Sequence, residues 1–272
     1  IEGKVISCET VHSGQVFAEA VLVSSRSGGS LEKIAGKRHP EVDAFLRTLR
    51  PDPKYQYVLM TPLGASETWG RNINGDYFPE LALSFNHRVG DKNARVRDLI
   101  SRFMTPLRAQ VPDGVMIREF GFKTFEDALR YRHHINKDPN IAYGDIVLSV
   151  WNPVMRRVEV IVRHWRQKAA ELGASDIIND IDNGRPRSIS MGCRVPFDVC
   201  TKCGHVSRTT DQYCVCLKTQ MGQTLDDGRV VAALNLFPRF FDLSDVIVPA
   251  ASESGVIEKV AHVKRAGSVL SK

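Results

Sequence analysis

Apolar residues recur along this chain in two rhythms. Alternation with period two, the mark of a strand with one buried face, runs through Ile146, Leu148 and Val150 and again through Val158, Val160 and Val162. Asn152-Pro153 lies between the two runs, so they predict a β-hairpin. Tyr57 to Met60 is an unbroken apolar run and predicts a buried strand. Further strands are predicted from Arg187 to Phe197, Val230 to Leu234 and Phe240 to Val248, and two short ones from Val5, Ile6, Val16, Phe17, Val21 and Val23, followed by a Ser/Gly connector at 24–30. The helical rhythm is clearest in Val96, Leu99, Ile100, Phe103 and Leu107, which share one face. Ala170, Ala174, Ile177, Ile178 and Ile181 form a second face, closed by Asn183-Gly184 in C-cap chemistry. Shorter helices are predicted through Val42, Phe45 and Leu46, after a Thr124 cap through Phe125, Ala128 and Leu129, and through Val256, Ile257, Val260 and Ala261. Asn74-Gly75-Asp76 and Asp226-Asp227-Gly228 are turn signals.

Clustered strands with a few helices predict an α+β fold, with a strongly curved antiparallel sheet or barrel-like β core surrounded by helices. The divisions that follow are an N-terminal extension (1–50), a core in two parts (51–199 and 222–262), a cysteine-bearing insertion (200–221) and a polar tail (263–272). The chain has 272 residues, 43% hydrophobic and 25% charged, which is enough for one large core with a small appendage. No apolar run reaches the roughly 20 residues that span a bilayer, so no membrane partner is expected, and no secretory signal is visible at Ile1. The net charge of +6 fits a polyanionic partner or an acidic protein substrate, and fits plain solubility equally well.

Four of the six cysteines are clustered as Cys200-x-x-Cys203-Gly204 and Cys214-x-Cys216, with ten residues between the pairs. Four thiolates suit tetrahedral Zn2+ with no open position, which marks a structural zinc-knuckle site and not a catalytic one. Gly204 supplies the tight turn, and His205 is an alternative fourth ligand. This usage fits a reducing compartment with a metal clip. The segment lacks the interleaved aromatics and basic run of a nucleic-acid module, so DNA contact is not supported.

A polar centre in an apolar strand is the other chemical signal. Ser188 and Ser190 share one face of the strand that begins at Arg187, and Cys193 falls on the other face, where a buried core thiol is expected. A serine needs a base to take its proton, and the base needs an acceptor on its second nitrogen. Among eight histidines, His133 and His134 sit together beside Asn136 and Asp138 at the opening of the hairpin. Strand alternation lets only one of the two face a site. Asp138, Asp242 and Asp245 are the candidate acceptors, with Asp245 on the strand face opposite Asp242. Backbone N–H groups of Met191 and Gly192 are in reach of Ser190 as oxyanion donors.

The order of these pieces is a His followed by Asn-Lys-Asp-Pro and a Gly-initiated strand, then Ser-x-Ser-Met-Gly, then Phe-Phe-Asp-Leu-Ser-x-Val-x-x-Pro-Ala. It resembles the prohead (capsid maturation) proteases of tailed bacteriophages, related in fold to the herpesvirus maturation protease assemblin, from about Tyr57 to Ala250. The resemblance implies His134 as base, Ser190 as nucleophile and Asp242 as third member, in an assemblin-like core. The cysteine insertion and the N-terminal extension depart from the family's simplest pattern. It further implies a serine endopeptidase acting on scaffold and major capsid proteins, and on itself, inside the prohead in the host cytoplasm. Ile1 then fits a self-processed start, and a homodimer fits the assemblin-like kind. The competing expectations are a non-enzymatic capsid or scaffold component that keeps the fold and the zinc clip, a zinc-dependent nucleic-acid-binding protein, and a thiol enzyme built on Cys193.

Overall fold

In order along the chain, the computed structural model describes residues 38–50, 52–88, 90–115, 123–185 and 188–259. The strands and connector expected in 1–30, and Val260 and Ala261, lie outside the described residues. The first element, α1 (Pro40–Thr48), starts on Pro40 with His39 as N-cap, its ring accepting from the Glu41 N–H. Then come β1 (Tyr55–Thr61), α2 (Ser66–Trp69), β2 (Asp76–Tyr77), α3 (Glu80–Asn86) and α4 (Lys92–Leu99), which runs on into a π-helical turn over Ile100–Met104. β3 (Leu129–Arg132), β4 (Gly144–Asn152) and β5 (Arg157–Trp165) precede α5 (Arg166–Glu171) and α6 (Ser175–Asp182). β6 (Ser188–Arg194), β7 (Asp198–Cys200), β8 (Val206–Ser207), α7 (Val215–Thr219), β9 (Ala233–Leu234), β10 (Arg239–Val246) and β11 (Gly255–Lys259) complete the set.

Seven strands form one sheet in the order β11-β1-β5-β4-β3-β10-β6, antiparallel at every junction except β3–β10. The sheet curls strongly into a half-barrel, so that its two outermost strands, β6 and β11, come within 8 Å of each other between Cα atoms. Alternation decides what fills it. Val58, Met60, Val158, Val160 and Val162 point into the main core with Ile189 and Leu243, whereas Leu59 and Ile161 point outward. Val42 of α1 is fully buried against that outer pair. A smaller sheet, β2-β9-β7-β8, packs with α3, α4 and the π-turn around Phe197, Phe237 and Leu99.

The α+β architecture and the β4–β5 hairpin agree with the expectation. Four local readings differ. The helix expected across Ala170 to Ile181 is two helices, because Gly173 takes a left-handed φ of +68° and ends the first. The segment after Thr124 is a turn, with Asp127 at φ +62°, and Leu129 opens β3. Val256 and Ile257 belong to a strand, since they lie along β1 and gain its hydrogen bonds. Of the stretch Val230 to Leu234, only Ala233 and Leu234 form a strand.

Candidate functional site

β6 pairs with β10 so that Ser190 faces Ser244, Gly192 faces Asp242 and Ser188 faces Val246. Residues paired across an antiparallel ladder share a sheet face. One face therefore carries Ser188, Ser190, Gly192, Asp242 and Ser244, as period two requires. Asp245 is on the opposite face, where its carboxylate takes Arg130 Nη2 at 2.5 Å and the Tyr143 hydroxyl inside the core. Burial and the Asp245 charge push the Tyr143 hydroxyl well up, so it stays a donor.

Asp242 is fully buried and collects three donors. His134 Nδ1 lies 2.5 Å from Oδ2, Asn136 Nδ2 donates to the same oxygen at 2.9 Å, and Ser244 Oγ donates to Oδ1 at 2.8 Å. A carboxylate only accepts, so the His134 proton sits on Nδ1 and Nε2 carries the lone pair. Ser244 Oγ also accepts the His134 backbone N–H at 3.2 Å. The same serine therefore holds both ends of the imidazole–carboxylate pair, and it stands directly across the ladder from Ser190. Gly192 is required beside them: a Cβ there would lie 2.9 Å from Asp242 Cβ and 3.0 Å from Oδ2.

His133 and His134 are not strand residues. They turn the chain after β3 with φ of +51° and +56°, a conformation that histidine tolerates better than most residues. The turn is anchored by the His133 N–H on the Asp245 carbonyl at 2.9 Å. Which of the two reaches Asp242 is thus set by this left-handed turn, not by strand alternation. Asp138 caps its own short 3-10 turn, accepting the Asn140 N–H at 2.9 Å. Tyr131, paired with Ser244 on the other side of β10, has its hydroxyl pKa raised by burial and by the charges of Asp242 and Asp138. The Cys193 thiol is pushed up strongly by burial, then by Asp76 and Asp198, and packs against the core, which removes it as a nucleophile.

Ser190 is 6% exposed, and among the described residues none hydrogen-bonds its hydroxyl. β6 is the outermost strand of the sheet and pairs only with β10. Successive N–H groups of a strand point to opposite sides, so only one of Met191 and Gly192 can turn its donor to the open edge.

The second cluster is built on β7 and the first turn of α7. The Sγ atoms of Cys200, Cys203, Cys214 and Cys216 all lie within 4.8 Å of one another, with Cys203 and Cys214 3.6 Å apart. Sulfurs about 2.3 Å from a tetrahedral centre are roughly 3.8 Å from each other, so the four fit one metal ion. Gly204 has φ +72°, and a Cβ there would meet the Leu107 carbonyl oxygen at 2.0 Å. Burial pushes the Cys200 thiol up to about 12. Burial acts the same way on Cys214 but is outweighed by the Leu217 N–H and by the neighbouring thiols, so this thiol falls below its usual value. His205 points its Nε2 at the Gln212 carbonyl, 2.9 Å away, outside the thiol group.

The structure therefore pairs His134 with Asp242 directly, brings Ser190 to the same face one strand away, and gathers the four cysteines. Asn136 and Ser244 were missed by sequence reasoning. Ser244 was recoverable, because a hydroxyl two residues from Asp242 on a strand must share its face. Asn136 had no such signal, since the turn that folds it back is irregular. Comparison with protein families, curated proteins and solved structures finds no match.

Proposed function

We propose that this chain is a serine endopeptidase of the prohead-maturation kind, cutting scaffold and capsid proteins, and itself, inside an assembling phage head. The observation that carries the reading is a buried Asp242 bonded to His134 Nδ1 on the face that bears Ser190. Ser190 Oγ attacks the scissile carbonyl carbon as its proton passes to His134 Nε2. The imidazolium is stabilised by Asp242, which keeps its own charge, and the proton then leaves with the departing amine. Water, deprotonated by the same Nε2, hydrolyses the acyl-enzyme. An open-edge N–H of β6 is the donor for the oxyanion. The curled half-barrel supports an assemblin-like core, with a homodimer as its working form.

The four thiolates would hold Zn2+ as a soft-ligand site with no open position, and the metal would brace β7 against α7. The test is a fluorophosphonate probe with peptide mapping, alongside co-expression with a phage scaffold protein. The adduct is expected on Ser190, lost in His134→Ala, and scaffold cleavage is expected to vanish in Ser190→Ala. Unlabelled Ser190, or normal cleavage by Ser190→Ala, sinks the reading and leaves a zinc-braced structural component.

A further inference from the structure

The face of β6 that carries Ser190 does not end at Gly192. Period two puts Arg194 next in line, and its guanidinium stacks over the Phe241 ring at 5.1 Å. The same ring reaches back over Gly192, 3.3 Å from where a Cβ would stand. Arg194 pairs with Arg239 across the ladder, and Lys123 bridges to Arg239 from the other side. These three cations, with Pro196 and Phe241, line an open groove of about 420 Å³. Among the described residues Arg194, Arg239 and Lys123 form no ion pair with a carboxylate. Exposed like charges lining one groove repel only weakly through water, and an acidic group bound among them gains from all three at once. Lys92 lies close enough to feel Arg239: its ammonium is held below the usual range by partial burial, then by Arg239 and by Arg95.

We propose that Arg194, Arg239 and Lys123 form an acid-selecting subsite that binds an Asp or Glu side chain of the substrate polypeptide about four residues from the scissile bond. This deepens the peptidase reading and rests on it. The distance follows from strand geometry: an extended peptide beside β6 advances at about 3.3 Å per residue, as β6 does, and Arg194 is four residues past Ser190. A polypeptide fits better than a nucleic acid. The groove continues the serine strand, and its aromatic ring is already covered by Arg194, which leaves no platform for base stacking.

The experiment has two arms. In the first, a proteome-derived peptide library is digested and the cut sites are read by mass spectrometry. Acidic residues are expected to be enriched about tenfold near the fourth position on one side of the cut, and the enrichment to disappear in Arg194→Gln/Arg239→Gln. Kinetics on single peptides should then show the variant losing the KM advantage of acidic over neutral peptides. An absent enrichment, or one that survives in the variant, overturns the subsite. In the second arm, a fluorescein-labelled decaglutamate peptide is titrated into Ser190→Ala protein by anisotropy. Binding is expected to weaken about tenfold with Arg194→Gln/Arg239→Gln. Equal binding in the variant, or tighter binding of a ten-base oligonucleotide than of the peptide, overturns it. If no Ser190-dependent cleavage is found in the first arm, the peptidase reading fails by itself, and the anisotropy still decides the groove.

Discussion

The carboxylate of Asp242 is cut off from water and depends on its three donors. A hydrogen bond to an ionised buried group contributes about 1.5–3 kcal/mol. Ser244→Ala and Asn136→Ala are each expected to lower kcat by roughly 10- to 100-fold and to lower the thermal midpoint by several degrees, since each leaves the buried carboxylate one donor short. Parallel assays of kcat and melting on the two variants check this. Gly192→Ala should act through the same carboxylate: the added methyl must push Asp242 aside, so kcat falls with little change in KM. His133→Gly, by contrast, keeps activity, because His133 gives the turn only its backbone N–H. At this scale the face that carries Ser190 was legible, because period two is a property of the local chain. The choice between His133 and His134 was not, because two left-handed residues in succession follow from long-range bonds to Asp245 and Asp242.

Elements whose stability is internal were legible, and elements made by a partner were not. The β4–β5 hairpin carries its own turn and alternation, and the cysteine spacing carries its own ligand geometry. β11 reads locally as a helix and becomes a strand only when β1 lies beside it. The parallel β3–β10 junction has no local signature, because its two strands are far apart in sequence. The thiol cluster ties β7 to α7 through a segment whose own apolar core is small, centred on Leu217, Val231 and Ala233. A strong chelator is expected to lower the thermal midpoint by roughly 5–10 °C with release of one metal ion per chain. Elemental analysis and calorimetry before and after chelation measure both, and an unchanged midpoint would count against the bracing role. Cys214→Ser should reproduce the chelated state without chelator.

For the molecule as a whole, one place where pH acts is His87, which joins α3 to the large sheet. Its Nδ1–H donates to the Leu83 carbonyl at 2.9 Å, and its Nε2 accepts the Ser149 hydroxyl at 2.9 Å. Burial, opposed by the Leu83 bond, pulls the ring down from 6.5 to about 4. The unfolded chain therefore takes up the proton before the folded one does. The contribution of His87 to stability falls as pH drops from about 6.5 towards 4, a loss on the order of 3 kcal/mol from this group across that window. Urea unfolding of wild type and His87→Gln between pH 4.5 and 7 should show the two close at pH 7 and the wild type falling progressively below the variant as the pH is lowered, because glutamine keeps both bonds and does not titrate.

The hydrogen bond between imidazole and carboxylate joins residues 108 positions apart in the chain. At about 5–20 residues per second, a ribosome needs roughly 5–22 s after His134 to add Asp242, and longer to let it emerge. During that interval the nascent polypeptide gains Ser190 about halfway through and has no completed dyad. On the peptidase reading, its neighbours on the polysome would be spared until Asp242 is in place.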